Sequence, residues 1–297
     1  MPGPANASTA ISPNLAAVAT FEEAAPRYDS SGAQLAGPIA GRLVALASLR
    51  PGDQVLDIGC GAGAVTVRSA RVVSPGGLVT GIDLSDGMLR RTAAEAAARG
   101  LGNVTVRRAD ASRPPFAPGT FDAALASLVL YLLPEPAVAL RRWLEVLQPG
   151  GTVAFSWGIR PDPRWSPVFA AVDAYAKGAD GFEAYVHRLG SPEGMTAVLN
   201  DCGYSDVRIS VETVPVHYTG PRQWWQASWA EAPRLAWQHI PDTARDEAKR
   251  AAFALLERMR EPGGGLVRQV AMAYAVARRP PESDGDGASA GPRRAAR

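Results

Sequence analysis

Val55-Leu56-Asp57-Ile58-Gly59-Cys60-Gly61-Ala62-Gly63 is a short apolar run closed by a glycine-rich turn, and a helical pattern follows it to Val73. Strand, tight loop, helix is a common way to hold a nucleotide. The glycines let the backbone turn sharply and approach the ligand, and the helix start offers unpaired N–H groups. With Ala64 as its last position the loop also reads as the G-x-G-x-x-G/A fingerprint of a dinucleotide site. Asp57 helps decide. A carboxylate two residues before the first glycine is expected close to the ligand's centre, where it repels a pyrophosphate and suits an ammonium or sulfonium group.

Outward from the loop, Ser74-Pro75-Gly76-Gly77 stops the helix and Leu78 to Asp83 reads as a second strand. Ser85 caps a helix running through Met88 and Leu89 to Arg99, with Gly100 as its stop. Val104-Thr105-Val106 begins a third strand and Phe121 to Ser127 forms a fourth. Leu140, Trp143, Leu144 and Leu147 recur at helical spacing until Pro149-Gly150-Gly151, and Thr152 to Trp157 is a fifth strand. This alternation predicts a parallel sheet covered on both faces, with the strand C-terminal ends on one ligand-binding rim. Asp83 and Asp110 fall at the next two strand ends. Asp83 suits ribose hydroxyls in either nucleotide class, and Asp110 the adenine amino group. Each acid could instead cap a helix or turn; three at consecutive strand ends favour the ligand.

These segments together resemble the class I S-adenosylmethionine-dependent methyltransferases, in their small-molecule, quinone-biosynthesis-like branch. Val55 to Gly63 resembles motif I, and Gly81-Ile82-Asp83-Leu84-Ser85 the segment with the ribose acid. Asp110-Ala111 with Phe116 and Gly119-Thr120-Phe121-Asp122 resembles the adenine-contact strand and the approach to strand four, and Leu147-Gln148-Pro149-Gly150-Gly151 the turn before strand five. The ordered series covers about residues 50–158. It implies a Rossmann-like, doubly wound α/β fold with a mostly parallel seven-stranded sheet, and S-adenosylmethionine as cofactor. Asp57, Gly59 and Gly61 would surround the methionyl part, Gly63 would complete the cofactor-binding loop, and Asp83 would take the ribose. Leu84 and Met88 would lie beside the adenine, with Asp110 and Ala111 at its edge. Ser127 and Leu128 would face the methionine chain, and Cys60 fills the motif's variable position as a small packing residue. Phe21 to Asp29 resembles the N-terminal helix of that branch, so Tyr28 either lies over the methionine end or packs in the core. Tyr131 falls where relatives carry a polar residue near the reacting centre, or else is a core aromatic.

The chain has 297 residues, 46% hydrophobic and 20% charged, which suits one large domain or a domain with an insertion. Two cysteines exclude a disulfide framework and a four-thiolate zinc site. A net charge of +2 gives no electrostatic reason to expect nucleic acid or an anionic membrane. Residues 1–19 and 280–297 read as disordered tails, 20–158 as the cofactor-binding core, and 159–279 as the remaining strands plus a helical cap. In that last part Val207, Ile209 and Val211 alternate like a strand, and Leu266 to Val276 is strand-like. Residues 220–262 look helical and hold four of the seven tryptophans. Met1 to Thr20 lacks a basic start and a long apolar run, and Pro2 stands where N-myristoylation requires glycine. A cytoplasmic protein, monomer or homodimer, is expected.

Methyl transfer requires proximity, orientation and a dry pocket, with a general base only where the acceptor loses a proton. His187, His217 and His239 all fall in the capping half, and His239 is favoured because it follows the Trp-rich stretch. Trp225 and Trp229 stand four apart on one helical face. With Trp157 at the end of strand five, they either line an acceptor pocket or form core. No acidic ligand cluster announces a metal. The expected reaction is methylation of a small, largely apolar or aromatic metabolite in bacterial specialised metabolism. The rivals are a non-methylating enzyme of the same fold, such as a cyclase, an RNA or protein methyltransferase, a nicotinamide oxidoreductase and a binding module.

Overall fold

The computed structural model describes residues 13–28, 35–176, 181, 183 and 187–282. Seven strands form one sheet: β1 (Gln54–Ile58), β2 (Leu78–Asp83), β3 (Val104–Arg108), β4 (Phe121–Ser127), β5 (Leu147–Arg160), β6 (Ser205–Tyr218) and β7 (Leu266–Arg278). Their order is β3-β2-β1-β4-β5-β7-β6. β7 runs antiparallel to β5 and β6, and the remaining neighbours are parallel. The order reverses between β1 and β4, so a crevice opens beyond their C-terminal ends, the place where open α/β sheets bind ligands.

The central strands are apolar throughout because helices cover both faces. Val55 turns to the face packed by Ile39 and Leu43 of helix α2 (Ala36–Ala47) and Val73 of α3 (Thr66–Val73). Leu56 and Ile58 turn to the other face, where Leu140 and Trp143 of α5 (Pro136–Val146) are buried. Helix α4 (Asp86–Ala98) starts where expected, its Ser85 side chain accepting the Met88 N–H.

Three features depart from expectation. Helix α1 (Pro13–Ala24) begins inside the stretch read as a tail. The alanine-rich segment after Pro13 is a good helix former, and proline suits the first helical position. The other expected tail residues, 1–12 and 283–297, lie outside the described residues. Helix α5 stops at Val146, and Leu147 already pairs with Phe121, so Gln148 to Gly151 bulge out before Thr152 pairs with Ala123. The Trp-rich stretch is three helices: α8 (Pro221–Ala230), α9 (Arg234–Trp237) and α10 (Asp242–Arg258). Prolines at 233 and 241 immediately precede α9 and α10. Helices α6 (Ser166–Asp173) and α7 (Pro192–Asp201) lie between β5 and β6. Among the described residues no helix is long and apolar enough to cross a membrane.

Candidate active site

At the C-terminal end of β1 the chain turns through Gly59, Gly61 and Gly63, all with positive φ. A Cβ on Gly59 would lie 2.6 Å from Val129 Cγ2, so both the backbone angle and the space demand glycine there. The Cys60 N–H donates to the Ile82 carbonyl at 2.9 Å, tying the loop to β2. Asp83 closes the arrangement. Its Oδ2 accepts the Gly61 N–H at 3.0 Å and its Oδ1 the Ser85 N–H at 2.9 Å. Burial raises its carboxyl despite these bonds. With the Leu84 N–H also bonded to it, the carboxylate still keeps capacity for a further donor.

Asp57 shares its sheet face with Val55, because side chains alternate along a strand. That parity carries it to the α3 side of the glycine loop, where it is 1% exposed and its Oδ2 accepts the Thr66 hydroxyl at 2.5 Å. Burial pushes its pKa up to about 7, and the nearby Asp83 charge adds to the rise. Asp57 therefore lines a groove behind the loop, together with Cys60, Gly63 and Arg68, and does not open into the main cavity. Tyr28, Gly59, Gly61, Ser127 and Leu128 line both spaces and join them. Burial pushes the Cys60 thiol well up, so it is no nucleophile.

The main cavity lies over the strand ends. Asp83, Leu84, Met88, Asp110 and Ala111 line one end of it, and Tyr131 lines its wall. Leu128 has a φ of 60°, an uncommon angle for a leucine, held by its N–H donating to Ser156. From the other side α1 is latched down by Glu22. Its carboxylate accepts the Ser85 hydroxyl and the Gly87 N–H, at 2.5 and 2.9 Å, at the start of α4, and these bonds lower its pKa. A Cβ at Gly87 would meet Ala25 at 2.7 Å, so glycine permits the close approach of the two helices. The latch brings Phe21 and Tyr28 to the cavity.

Four expected site residues lie elsewhere. His239 is exposed on the surface after α9. Trp157 points into the core beneath the sheet, fully buried against Phe155, and its Nε1–H donates to Gly190 at 3.3 Å. Trp225 and Trp229 pack on Trp237, with ring centroids at 5.5 and 6.2 Å. Arg245 covers the Trp229 ring. This is the cap's own core, and the cap instead turns Ser228, Glu231 and Pro233 to the cavity. The cavity also gains His187, one of the three candidate bases though not the favoured one, together with Tyr218 and Arg268, which sequence reasoning did not single out. Arg268 carried a signal, being a lone cation in an otherwise apolar strand pattern.

A doubly wound sheet whose β1 glycine loop is bonded to the acid ending β2 defines the nucleoside-binding architecture of class I methyltransferases. The residues present fit S-adenosylmethionine: a rigid acid for ribose, apolar side chains beside it, and a buried carboxylate behind the loop for an ammonium group. The sequence profile described as a methyltransferase domain matches residues 55–151. The chain is 34% identical over 277 residues to nocamycin O-methyltransferase of Saccharothrix syringae, covering 87% of this chain and 96% of that protein. It is 33% identical to aklanonic acid methyltransferase DauC of Streptomyces sp. strain C5 over 64% of this chain and 92% of that one. Among solved structures, the YcgJ protein of Bacillus subtilis has the same fold, with a TM-score of 0.57, 17% identity and coverage of 82% and 98%. The chain belongs to the class I S-adenosylmethionine-dependent methyltransferases, and S-adenosylmethionine is its cofactor.

Proposed function

We propose that the enzyme methylates an oxygen of a small, largely apolar or aromatic metabolite in bacterial natural-product biosynthesis. The observation that carries this is one continuous cavity, with Asp83 and Asp110 at one end and cap residues at the other. The oxygen as target rests on the similarity to nocamycin O-methyltransferase, and the natural-product setting on that similarity and the one to the aklanonic acid enzyme. The cofactor, when bound, supplies an activated methyl group with its own leaving group. The chain's part is to bind, orient and keep water out.

In this reading Asp83 holds the ribose hydroxyls, Leu84 and Met88 flank the adenine, and Asp110 with Ala111 meets its edge. Gly59 and Gly61 give the methionyl chain room, Ser127 and Leu128 lie beneath it, and Tyr28 covers it. Asp57 faces the ammonium group across the groove that also contains Cys60 and Gly63. Tyr131 stands beside the acceptor. In the same reading the enzyme is cytoplasmic, a monomer or homodimer, and acts on a small molecule; the near-neutral net charge favours this over a nucleic-acid substrate. Calorimetric titration with S-adenosylmethionine tests the cofactor end. Micromolar binding to the wild type, lost in Asp83→Ala and absent for NAD, is expected; binding undiminished in the variant would overturn these assignments. Nuclear magnetic resonance of products from a panel of hydroxylated aromatics tests the rest, an O–CH3 signal being expected and an N- or C-methyl product refuting it.

A further inference from the structure

The far end of the cavity holds a polar group that the nucleotide fold does not require. Tyr218 ends β6 and Arg268 lies near the start of β7, where the register sets Arg268 opposite Val216 and diagonal to Tyr218. His187 comes from the segment before α7, and all three line the cavity that also reaches Asp83 and Leu128. Arg268 is 7% exposed, and its guanidinium lies 4.6 Å over the Phe169 ring and hydrogen-bonds Tyr218. A charge so far from water needs partners. Glu183 feels its field, Glu231 stands near Tyr218, the Asp162 and Asp173 charges act on Glu183, and Asp162 accepts the N–H of the neighbouring Gln269 at 2.9 Å. These carboxylates offset the guanidinium, so the pole suits a neutral group that becomes negative there more than a permanent anion.

The three side chains divide the work of activating a hydroxyl. Burial and the Arg268 charge both lower the His187 pKa, so its imidazole is neutral at pH 7 and has a nitrogen to accept a proton. Burial pushes Tyr218 up to about 12, so it stays a donor. We propose that this pole activates the acceptor: His187 is the general base for a phenol or enol hydroxyl, and Arg268 with Tyr218 holds the resulting oxyanion. The acceptor's O–H bond breaks and the proton joins an imidazole nitrogen. The electron pair stays on the oxygen, which becomes the nucleophile. His187 is held in place by its backbone N–H, which donates to the Glu183 carbonyl at 3.2 Å. The inference rests on the methyl-transfer reading of the cavity.

Umbelliferone, a phenol whose absorption distinguishes its neutral and ionised forms, is the probe. Wild type, His187→Gln and Arg268→Lys are saturated with S-adenosylhomocysteine, whose binding is measured in the same samples by calorimetry, and then titrated with the dye at pH 7. The wild type is expected to bind the dye as phenolate. His187→Gln should bind S-adenosylhomocysteine unchanged yet show at least a fivefold smaller phenolate fraction, and Arg268→Lys should weaken dye binding about tenfold. With a turned-over phenol, His187→Gln should lower kcat about 10²–10⁴-fold at pH 7 and recover as the pH approaches the acceptor's own ionisation. An unchanged phenolate spectrum in His187→Gln overturns the proposal, as does a wild type that takes up the dye only as neutral phenol or not at all. Failure of the wild type to bind S-adenosylhomocysteine would instead overturn the methyl-transfer reading.

Discussion

Replacing Asp57 by asparagine should make the ligand-free protein more stable above neutral pH while weakening cofactor binding. The carboxyl is 1% exposed and titrates at about 7 in the fold against an ordinary value of 3.8. A raised value means that the folded state holds the proton more tightly than the unfolded chain. The contribution to stability is therefore fully present below about pH 4 and is lost as pH rises through 7. Three units at 1.36 kcal/mol each put the penalty for ionising Asp57 in the apo fold at roughly 4 kcal/mol by pH 8.5. At pH 5 the same linkage leaves roughly 2 kcal/mol. Asparagine keeps an oxygen for the Thr66 hydroxyl and has no charge to bury. Urea denaturation of both proteins at pH 5 and pH 8.5 should show Asp57→Asn more stable at both, with a gain larger by about 2 kcal/mol at the higher pH. A gain independent of pH, or a variant less stable than wild type at pH 8.5, would refute the reasoning.

The same group makes cofactor binding pH-dependent: S-adenosylmethionine affinity in the wild type should fall up to about tenfold per pH unit below 7, as protonation removes the partner of the ammonium group. Calorimetry from pH 5.5 to 8.5 checks it, and Asp57→Asn should be flat. Gly59→Ala places a Cβ 2.6 Å from Val129 at a φ of +66°, and should destabilise by about 1–3 kcal/mol in thermal or urea unfolding with at least tenfold weaker cofactor binding. Glu22→Gln loosens the latch of α1 on α4 and should speed proteolysis within α1 and raise KM for the cofactor while leaving the melting of the sheet core unchanged. Trp229→Phe should change the acceptor KM less than twofold, because its ring packs within the cap; a tenfold rise would return it to the acceptor site.

The cofactor half was legible because its signals are local. A glycine loop, a cap at Ser85 and acids at strand ends each state their geometry within a few residues, and the alternation of strands and helices fixes the rim they share. The side of Asp57 was not read: its place before the glycines suggested the ligand's centre, whereas period-two parity with Val55 sends it behind the loop. The acceptor half was not legible, because its residues meet only through tertiary packing. A tryptophan pair on one helix face looks alike whether the face meets ligand or Trp237. His187 and His239 cannot be told apart until the path between β5 and β6 brings the first to the cavity and leaves the second in solvent. The first turns of α1, before the expected N-terminal helix at Phe21, were missed because alanine-rich sequence near a terminus resembles a tail, and the helix is held by Glu22 reaching a helix more than sixty residues away.

The most direct test of the whole account is a crystal structure with S-adenosylhomocysteine bound. Ribose hydroxyls are expected on the Asp83 carboxylate, adenine at Asp110 and Ala111, the amino group toward Asp57, and the sulfur between Leu128 and Tyr131, facing the end of the cavity with His187 and Arg268. A ligand seated away from Asp83, or with its sulfur turned from that end, would contradict it.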